Sequence, residues 1–192
     1  MLTERFSEAL QLAERLHREQ TRKGNDIPYV AHLLAVAAIV LEYGADEDTA
    51  IAALLHDAVE DQGGEATAEL IRTRFGDRVA SLVLHCSDSV ATLGETKAPW
   101  RERKEGYLSR LATADADVAL IAAADKLHNL TATIRDVRAE GRQTLQRFAE
   151  PDRVLWYFRS VADALEPHRA TVPLAELRVR VDELTDLLSD AA

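Results

Sequence analysis

The sequence has a single cysteine, Cys86, among its 192 residues, which excludes an internal disulfide and fits a reducing compartment. Glycine and proline are scarce, with 8 and 5 residues, and aromatic residues make up only 5% of the chain. This composition leaves little material for a β-sheet. Alanine, leucine and valine dominate the apolar 47%, which favours packed helices in a domain large enough to have a core.

The sequence has fewer basic than acidic residues, and it has no long apolar run. Lysine and arginine total 23 against 33 acidic residues, and the net charge of -10 argues against duplex nucleic acid or an anionic membrane as partner. The apolar run at 33–41 is too short to span a membrane. The N-terminal residues lack the basic start and apolar middle of a signal peptide. These absences predict a soluble, cytoplasmic protein.

Helical periodicity covers most of the chain, and no segment reads convincingly as a strand. Thr3 can cap a first helix that extends to about Glu19, and a polar loop follows at 21–29. His32 opens the second helix, for which Gly44 is well suited as a C-terminal cap. Further helices are predicted from 46 or 48 to the glycine pair at 63–64, over 65–75, 77–86 and 100–111, from 115 or 117 to about 140, and over 151–166 and 173–188. We therefore predict a single all-α domain over residues 1–192.

The most informative segment ends an apolar helical stretch and holds the adjacent pair His56-Asp57, with Glu60 and Asp61 one turn later. Polar groups at this density beside Leu54 are costly to bury unless something compensates them. A divalent cation would provide that compensation, and the alternative is a capping pair with scattered charges.

Two remote residues of the right type complete such a site. His32 lies upstream and Asp125 lies downstream, each in a separate predicted helix. Together with His56 and Asp57 they supply two imidazoles and two carboxylates, a set suited to manganese, iron or zinc and poorly suited to calcium. Three other histidines are interpreted as surface or packing residues: His17, His85 and His168.

Three stretches carry a family resemblance, and they read RKGNDIPYVAH at 22–32, HDAVED at 56–61 and ADKLHNL at 124–130. They resemble the HD-domain metal phosphohydrolases, and more narrowly the hydrolase domains of RelA/SpoT-type enzymes and the stand-alone small alarmone hydrolases. The resemblance extends from the first helix to about Val161. It implies an HD-type helical bundle that binds manganese and removes pyrophosphate from the 3′ position of (p)ppGpp or related nucleotides. Four residues match the ligands of that family: His32, His56, Asp57 and Asp125.

The same resemblance implies roles for further residues. Glu60 and Asp61 match a catalytic Glu-Asp pair that orients the water and shuttles protons, although an acidic pair facing solvent is the alternative. Arg22 and Lys23 match a pair that contacts the nucleotide, where arginine can stack or fork onto a phosphate. Asn129 corresponds to an asparagine that contacts the ribose or the base.

Other candidate substrate contacts come from local composition. Tyr29 either packs against the nucleotide or braces its loop. Arg103 and Lys104 either meet the leaving pyrophosphate or belong to a charged helix face. Among the aromatic residues at 156–158, Tyr157 is the one that could line the pocket.

The chain departs from the family pattern at two places. Leu130 is followed by Thr131 and Ala132, where RelA/SpoT enzymes usually have Arg-Thr after one apolar residue. A Gly-Val-Thr-Lys-like segment is also missing, and HCSDS stands at 85–89 in that region. Both segments shape the nucleotide pocket in the family, so adenine alarmones such as (p)ppApp stand beside guanine alarmones as expected substrates.

The leading hypothesis is a metal-dependent 3′-pyrophosphohydrolase that degrades purine alarmones of the stringent response to the nucleotide and pyrophosphate. One alternative is another HD-domain nucleotide phosphatase, acting on the 3′-phosphate of NADPH, a 5′-nucleotide or a deoxynucleoside triphosphate. A second is a catalytically silent nucleotide-binding module, which would be expected to have lost one of six key positions that are all intact here. The expected partner is a small nucleotide, with neither nucleic acid nor membrane, and a homodimer is the common default.

Overall fold

The structure, a computed structural model, describes residues 1–87, 98–148 and 153–189. Within these ranges the chain forms ten α-helices and no strand, apart from an isolated antiparallel bridge between Thr21 and Pro28. The predicted all-α fold class is confirmed. The described chain divides into two compact units, Met1–Pro99 and Trp100–Ala192. One domain over residues 1–192 stays a prediction.

The first unit contains α1 (Glu4–Leu16), α2 (Val30–Glu42), α3 (Glu47–Leu55), α4 (Ala58–Asp61), α5 (Glu65–Phe75) and α6 (Asp77–Cys86). Thr3 caps α1 as predicted, since its hydroxyl accepts a hydrogen bond from the backbone N–H of Arg5. Asp46 rather than Asp48 caps α3, and its carboxylate accepts from the backbone N–H of Thr49 at 3.0 Å. These caps satisfy backbone donors that the first helical turn leaves without partners.

The core of the first unit surrounds α3, which is buried from Thr49 to Leu55 and apolar from Ala50 onward. Helices α1, α2 and α6 pack against it. His56 directly follows Leu55, the last residue of this helix, so the burial of α3 fixes where the His-Asp pair begins.

The predicted third helix does not continue through the His-Asp pair but divides there into α3 and α4. His56 Nδ1 hydrogen-bonds to the carbonyl of Ala53 at 2.8 Å. That carbonyl is the acceptor which the Asp57 N–H would use in an uninterrupted helix, so the side chain competes with the backbone ladder. The helix prediction was wrong at this point because it considered periodicity and not side-chain bonding.

The second unit contains α7 (Trp100–Leu111), α8 (Ala116–Glu140), α9 (Val154–Ala164) and α10 (Leu174–Ser189), with short 3-10 helices at Arg142–Arg147 and Glu166–His168. Helix α8 packs against α7, α9 and α10 and supplies a long buried stripe. Gly141 ends α8 with a φ of 86°, a conformation that glycine adopts without strain. The predicted start of the next helix at Pro151 and most of the predicted loop at 87–99 lie outside the described residues.

None of the helices in the described ranges combines the length and the apolarity needed to cross a bilayer.

Replacing Leu54 by alanine tests the central position of α3. Leu54 is fully buried, so its truncation should lower the free energy of unfolding by about 2–5 kcal/mol. Leu70→Ala is the matched control, because Leu70 is 40% exposed and its truncation should cost far less. Urea unfolding followed by circular dichroism measures both variants. Equal losses would contradict the assignment of α3 as the core helix.

Candidate metal centre

Three of the predicted metal ligands converge in the first unit. His32 lies in the first turn of α2, His56 follows α3, and Asp57 precedes α4. One ligand atom from each residue lies within 4.8 Å of the other two. Oδ2 of Asp57 lies 3.0 Å from His56 Nε2 and 3.6 Å from His32 Nε2. The first turn of α2 and the junction between α3 and α4 therefore bring two imidazoles and a carboxylate to one point.

The donor atoms of this cluster fit a divalent cation. A carbonyl oxygen can only accept, so the hydrogen bond from His56 to Ala53 assigns the proton to Nδ1. In the neutral ring Nε2 then presents a lone pair toward the Asp57 carboxylate, which is the arrangement a metal ligand needs. His32 and His56 are 0% and 3% exposed, while Asp57 is half-buried. Polar atoms that meet at such depth are suited to holding a cation.

Tyr29 forms a hydrogen bond to one of the predicted metal ligands. Its hydroxyl donates to Asp57 Oδ2 at 2.6 Å. The ring stacks on His17 with centroids 5.1 Å apart, and it meets His32 edge-on at 5.5 Å. Tyr29 therefore contacts two residues of the cluster, and both roles considered for it, bracing its loop or packing against the nucleotide, stay predictions.

The predicted acidic pair lies on the single turn of α4, where Glu60 is half-buried and Asp61 is exposed. Asp61 Oδ2 accepts a hydrogen bond from Nε2 of Gln20 at 2.8 Å. Gln20 Oε1 in turn accepts from Gln62 Nε2 at 2.6 Å and lies 2.7 Å from His17 Nδ1. Asp61 is therefore connected to the segment after α1 through neutral side chains.

His17 is buried, and its interpretation as a surface or packing residue missed its polar contact. Burial lowers its pKa, although the hydrogen bond to Gln20 and the charges of Asp57 and Asp61 act in the opposite direction. The net pKa lies below the ordinary value, so the ring is neutral at pH 7. Sequence reasoning also passed over Gln20. The available signal was the spacing of His17 and Gln20 immediately before the loop that carries Arg22.

The loop that follows α1 is closed by backbone hydrogen bonds. The N–H of Arg22 donates to Ile27 at 2.8 Å, and the N–H of Tyr29 donates to Gln20 at 2.9 Å. The Arg22 guanidinium lies 5.7 Å from the centroid of the Tyr29 ring. Lys23 is exposed on the same loop. Arg22 is therefore placed beside the tyrosine that donates to Asp57, and contact of either basic residue with substrate stays a prediction.

In the second unit, Asp125 is buried in α8. Its carboxylate accepts hydrogen bonds from the Lys126 ammonium and from the side-chain amide of Asn129. Burial lowers the pKa of Lys126, but the charge of Asp125 and the nearby Tyr157 and Tyr107 raise it well above its ordinary value. Lys126 is therefore charged where it meets the carboxyl group of Asp125.

Two predicted substrate residues of the second unit, Lys104 and Tyr157, lie in contact. The ammonium of Lys104 lies 5.0 Å from the centroid of the Tyr157 ring, and that of Lys126 lies 5.9 Å from it. The Tyr157 hydroxyl is buried and has no hydrogen-bond partner among the described residues. Arg103 is half-buried on α7. The substrate roles of these residues and the place of Asp125 among the metal ligands stay predictions.

The chain is similar to known HD-domain proteins. The sequence profile described as HD domain matches residues 9–151. The guanosine-3′,5′-bis(diphosphate) 3′-pyrophosphohydrolase of Aquifex aeolicus is 40% identical over 146 residues, which cover 75% of this chain and 20% of that protein. The chain thus spans about a fifth of the length of this longer relative.

A relative of similar size and a solved structure extend the likeness along the chain. The enzyme named guanosine-3′,5′-bis(diphosphate) 3′-pyrophosphohydrolase MESH1 in Xenopus tropicalis is 34% identical over 172 residues, covering 88% of this chain and 87% of that protein. A solved structure described as a metazoan ortholog of SpoT that hydrolyses ppGpp is 31% identical, with a TM-score of 0.72 and coverage of 95% and 94%. Membership in the HD domain implies a divalent metal, and the cluster of His32, His56 and Asp57 provides suitable ligands. The chain belongs to the HD domain family, and within it to the group of RelA/SpoT-type hydrolase domains and stand-alone small alarmone hydrolases.

Proposed function

We propose that this chain is a metal-dependent 3′-pyrophosphohydrolase that converts purine alarmones, (p)ppGpp or (p)ppApp, to the nucleotide and pyrophosphate. The observation that carries the proposal is the convergence of His32, His56 and Asp57, with the acidic turn of α4 directly behind them in the sequence. The likeness to MESH1 supports it, because that enzyme is matched over nearly its whole length.

We propose that His32, His56, Asp57 and Asp125 hold the metal, and that the metal is Mn²⁺, with Fe²⁺ or Zn²⁺ as alternatives. Two imidazoles with two carboxylates are a ligand set of borderline hardness, which supports this choice. Asp125 is buried beside the ammonium of Lys126, and its carboxyl oxygens are donor atoms of the type that such a site requires. A bound divalent cation would supply Lewis-acid stabilisation of phosphoryl oxygens and would lower the pKa of water.

Residues of the chain would bind the substrate and transfer the protons. The exposed Lys23 and the guanidinium of Arg22 would bind the phosphates or stack on the base. Glu60 and Asp61 would orient the attacking water and accept its proton as it adds to the phosphorus. The bond from that phosphorus to the 3′ oxygen breaks, and the oxygen takes up the proton that the acidic pair received from the water and leaves as the nucleotide's hydroxyl.

Lys104, Tyr157, Asn129 and Arg103 of the second unit would contribute the remaining contacts to the substrate. Lys104 and Tyr157 already lie in contact, and a cation above a ring offers both charge and a flat surface to a nucleotide. Asn129 would contact the ribose or base, and Arg103 would meet the leaving pyrophosphate. Asn129 also donates to Asp125, so the same amide would connect substrate and metal ligand.

We further propose that the enzyme acts in the cytoplasm, in the stringent response, on a small nucleotide without a nucleic acid partner. The net charge of -10 supports this choice of substrate, since a duplex would be repelled. A homodimer is the oligomeric state proposed by default.

A substrate panel tests the function. Protein loaded with Mn²⁺ is incubated separately with ppGpp, ppApp, NADPH and a deoxynucleoside triphosphate, and pyrophosphate and phosphate are measured separately. We expect pyrophosphate from an alarmone, with the 5′ phosphates left intact on the nucleotide product. His56→Ala prepared in parallel controls for contaminating phosphatases. Phosphate from NADPH or deoxynucleotides alone would favour another HD phosphatase, and no product with any metal would favour a silent binding module.

A further inference from the structure

Gln20, just beyond α1, forms the centre of a cluster of neutral side chains behind the acidic turn. Its Nε2 donates to Asp61 at 2.8 Å. Its Oε1 accepts from Gln62 Nε2 at 2.6 Å and lies 2.7 Å from Nδ1 of His17. One amide therefore contacts three side chains, and only Asp61 among them is charged at pH 7.

The donor and acceptor roles in this cluster are fixed by its charged end. An ionised carboxylate can only accept, so the atom of Gln20 that faces Asp61 must be its NH₂ group. The other terminal atom is then the carbonyl oxygen, which requires donors from both neighbours. Gln62 donates through its NH₂, and His17 must donate through Nδ1. The contact network thus selects one tautomer of His17.

The position of His17 is fixed independently of these hydrogen bonds. The ring is buried, and within the described ranges of the chain its Nε2 has no hydrogen-bond partner. One face of it stacks on Tyr29, whose hydroxyl donates to Asp57. His17 therefore takes part in two chains of contacts. One runs through Gln20 to Asp61, and the other runs through Tyr29 to Asp57.

Asp61 is exposed on a helix of only four residues, and the Gln20 amide gives its carboxylate a donor at a defined position. A general base contributes only when its oxygen is held within hydrogen-bonding reach of the reacting water. Misplacement by about 1 Å can reduce an enzymatic rate about 100-fold.

We propose that Gln20 is a positioning residue that fixes the Asp61 carboxylate for proton transfer, with His17 and Gln62 holding the Gln20 amide in place. This inference rests on the proposed function of Asp61 in alarmone hydrolysis. It assigns to Gln20 an effect on turnover that acts through Asp61 and not through substrate or metal binding.

Gln20→Glu is the sharpest variant, because it keeps the shape of the side chain and replaces the donor by an oxygen that repels Asp61. We expect kcat for the alarmone to fall about 10- to 100-fold, with KM within about twofold and bound metal unchanged. Gln11→Glu is the matched control, since Gln11 is exposed on α1 and receives the same added charge. A wild-type kcat for Gln20→Glu, or a loss confined to KM, would overturn the proposal.

A double-mutant cycle shows whether Gln20 acts through Asp61. In the Asp61→Asn background the Gln20→Glu substitution should reduce kcat less than about twofold further, because its target is already disabled. Losses that multiply in full would overturn the proposal. If Asp61→Asn itself keeps wild-type turnover, the role of Asp61 fails first, and the proposal for Gln20 fails with it.

A measurement on the wild-type protein tests the contact network without any activity. ¹⁵N resonances of the imidazole rings at pH 7 should show His17 as a neutral ring with its proton on Nδ1, and the Gln20→Leu variant should lose this preference. A wild-type ring with its proton on Nε2 would overturn the proposal even if the variants fail to fold. If the substrate panel finds no hydrolysis while this signature is present, the proposed function is wrong and the network stands as a structural feature only.

Discussion

Asp57→Asn is expected to abolish metal binding and pyrophosphate release together, while the chain still folds. Oδ2 of Asp57 is the atom that both imidazoles face, at 3.0 Å from His56 and 3.6 Å from His32. The asparagine has nearly the same shape but lacks the negative charge that offsets a cation. Substitutions of residues that merely support a metal ligand cost about 10- to 100-fold, so the loss of a ligand itself should exceed that range.

Two measurements make this expectation specific. Metal content after reconstitution and gel filtration should fall from one ion per chain to background, as measured by inductively coupled plasma mass spectrometry. The gain in thermal stability on adding Mn²⁺ should also vanish, since a ligand at 100 times its Kd stabilises the native state by about 2.7 kcal/mol. Asp77→Asn is the control, because Asp77 is an exposed carboxylate of the same unit that lies outside the cluster.

Two outcomes for Asp57→Asn would contradict this prediction. If Asp57→Asn retains a full complement of metal, the three residues are not the metal site, and their convergence reflects packing alone. If metal is lost but hydrolysis persists, the reaction does not need the cation. Either outcome would remove the basis of the proposed function.

The fold could be predicted from the sequence where local chemistry determines local structure. Thr3 caps α1 and Asp46 caps α3, in each case because a side-chain oxygen meets a backbone donor of the first turn. Glycine ended α8 at residue 141 for an equally local reason, its positive φ. The break at His56 could not be predicted from periodicity, because it depends on a side chain bonding to the carbonyl of Ala53.

Some residues of the candidate site could likewise be predicted from the sequence, and others could not. Histidine and aspartate can be found by type, since few other side chains bind a metal, and three of the four predicted ligands meet within one unit. Gln20 and Gln62 could not be found this way, because a neutral amide is common on any helix surface. What matters is the orientation of the Gln20 side chain, whose NH₂ group must face Asp61. The orientation of a side chain is defined only in the folded protein.

The acidic turn of α4 is expected to affect turnover without affecting the metal. Glu60→Gln and Asp61→Asn keep the size of each side chain and remove its ability to accept a proton. General acid–base catalysis contributes about 10²- to 10⁴-fold, so kcat should fall by that order in at least one of the two variants. The ion content should equal that of the wild type, which separates this pair from Asp57.

The comparison between the two variants tells which carboxylate takes the proton. Asp61 is exposed and is held by the Gln20 amide, whereas Glu60 is half-buried, so the larger loss is expected for Asp61→Asn. Glu65→Gln is the control, since Glu65 is an exposed carboxylate at the start of the next helix, α5. Steady-state kinetics of pyrophosphate release gives kcat and KM for each protein. Unchanged kcat in both variants would exclude the pair from the chemistry, because no amide can replace a carboxylate as a base.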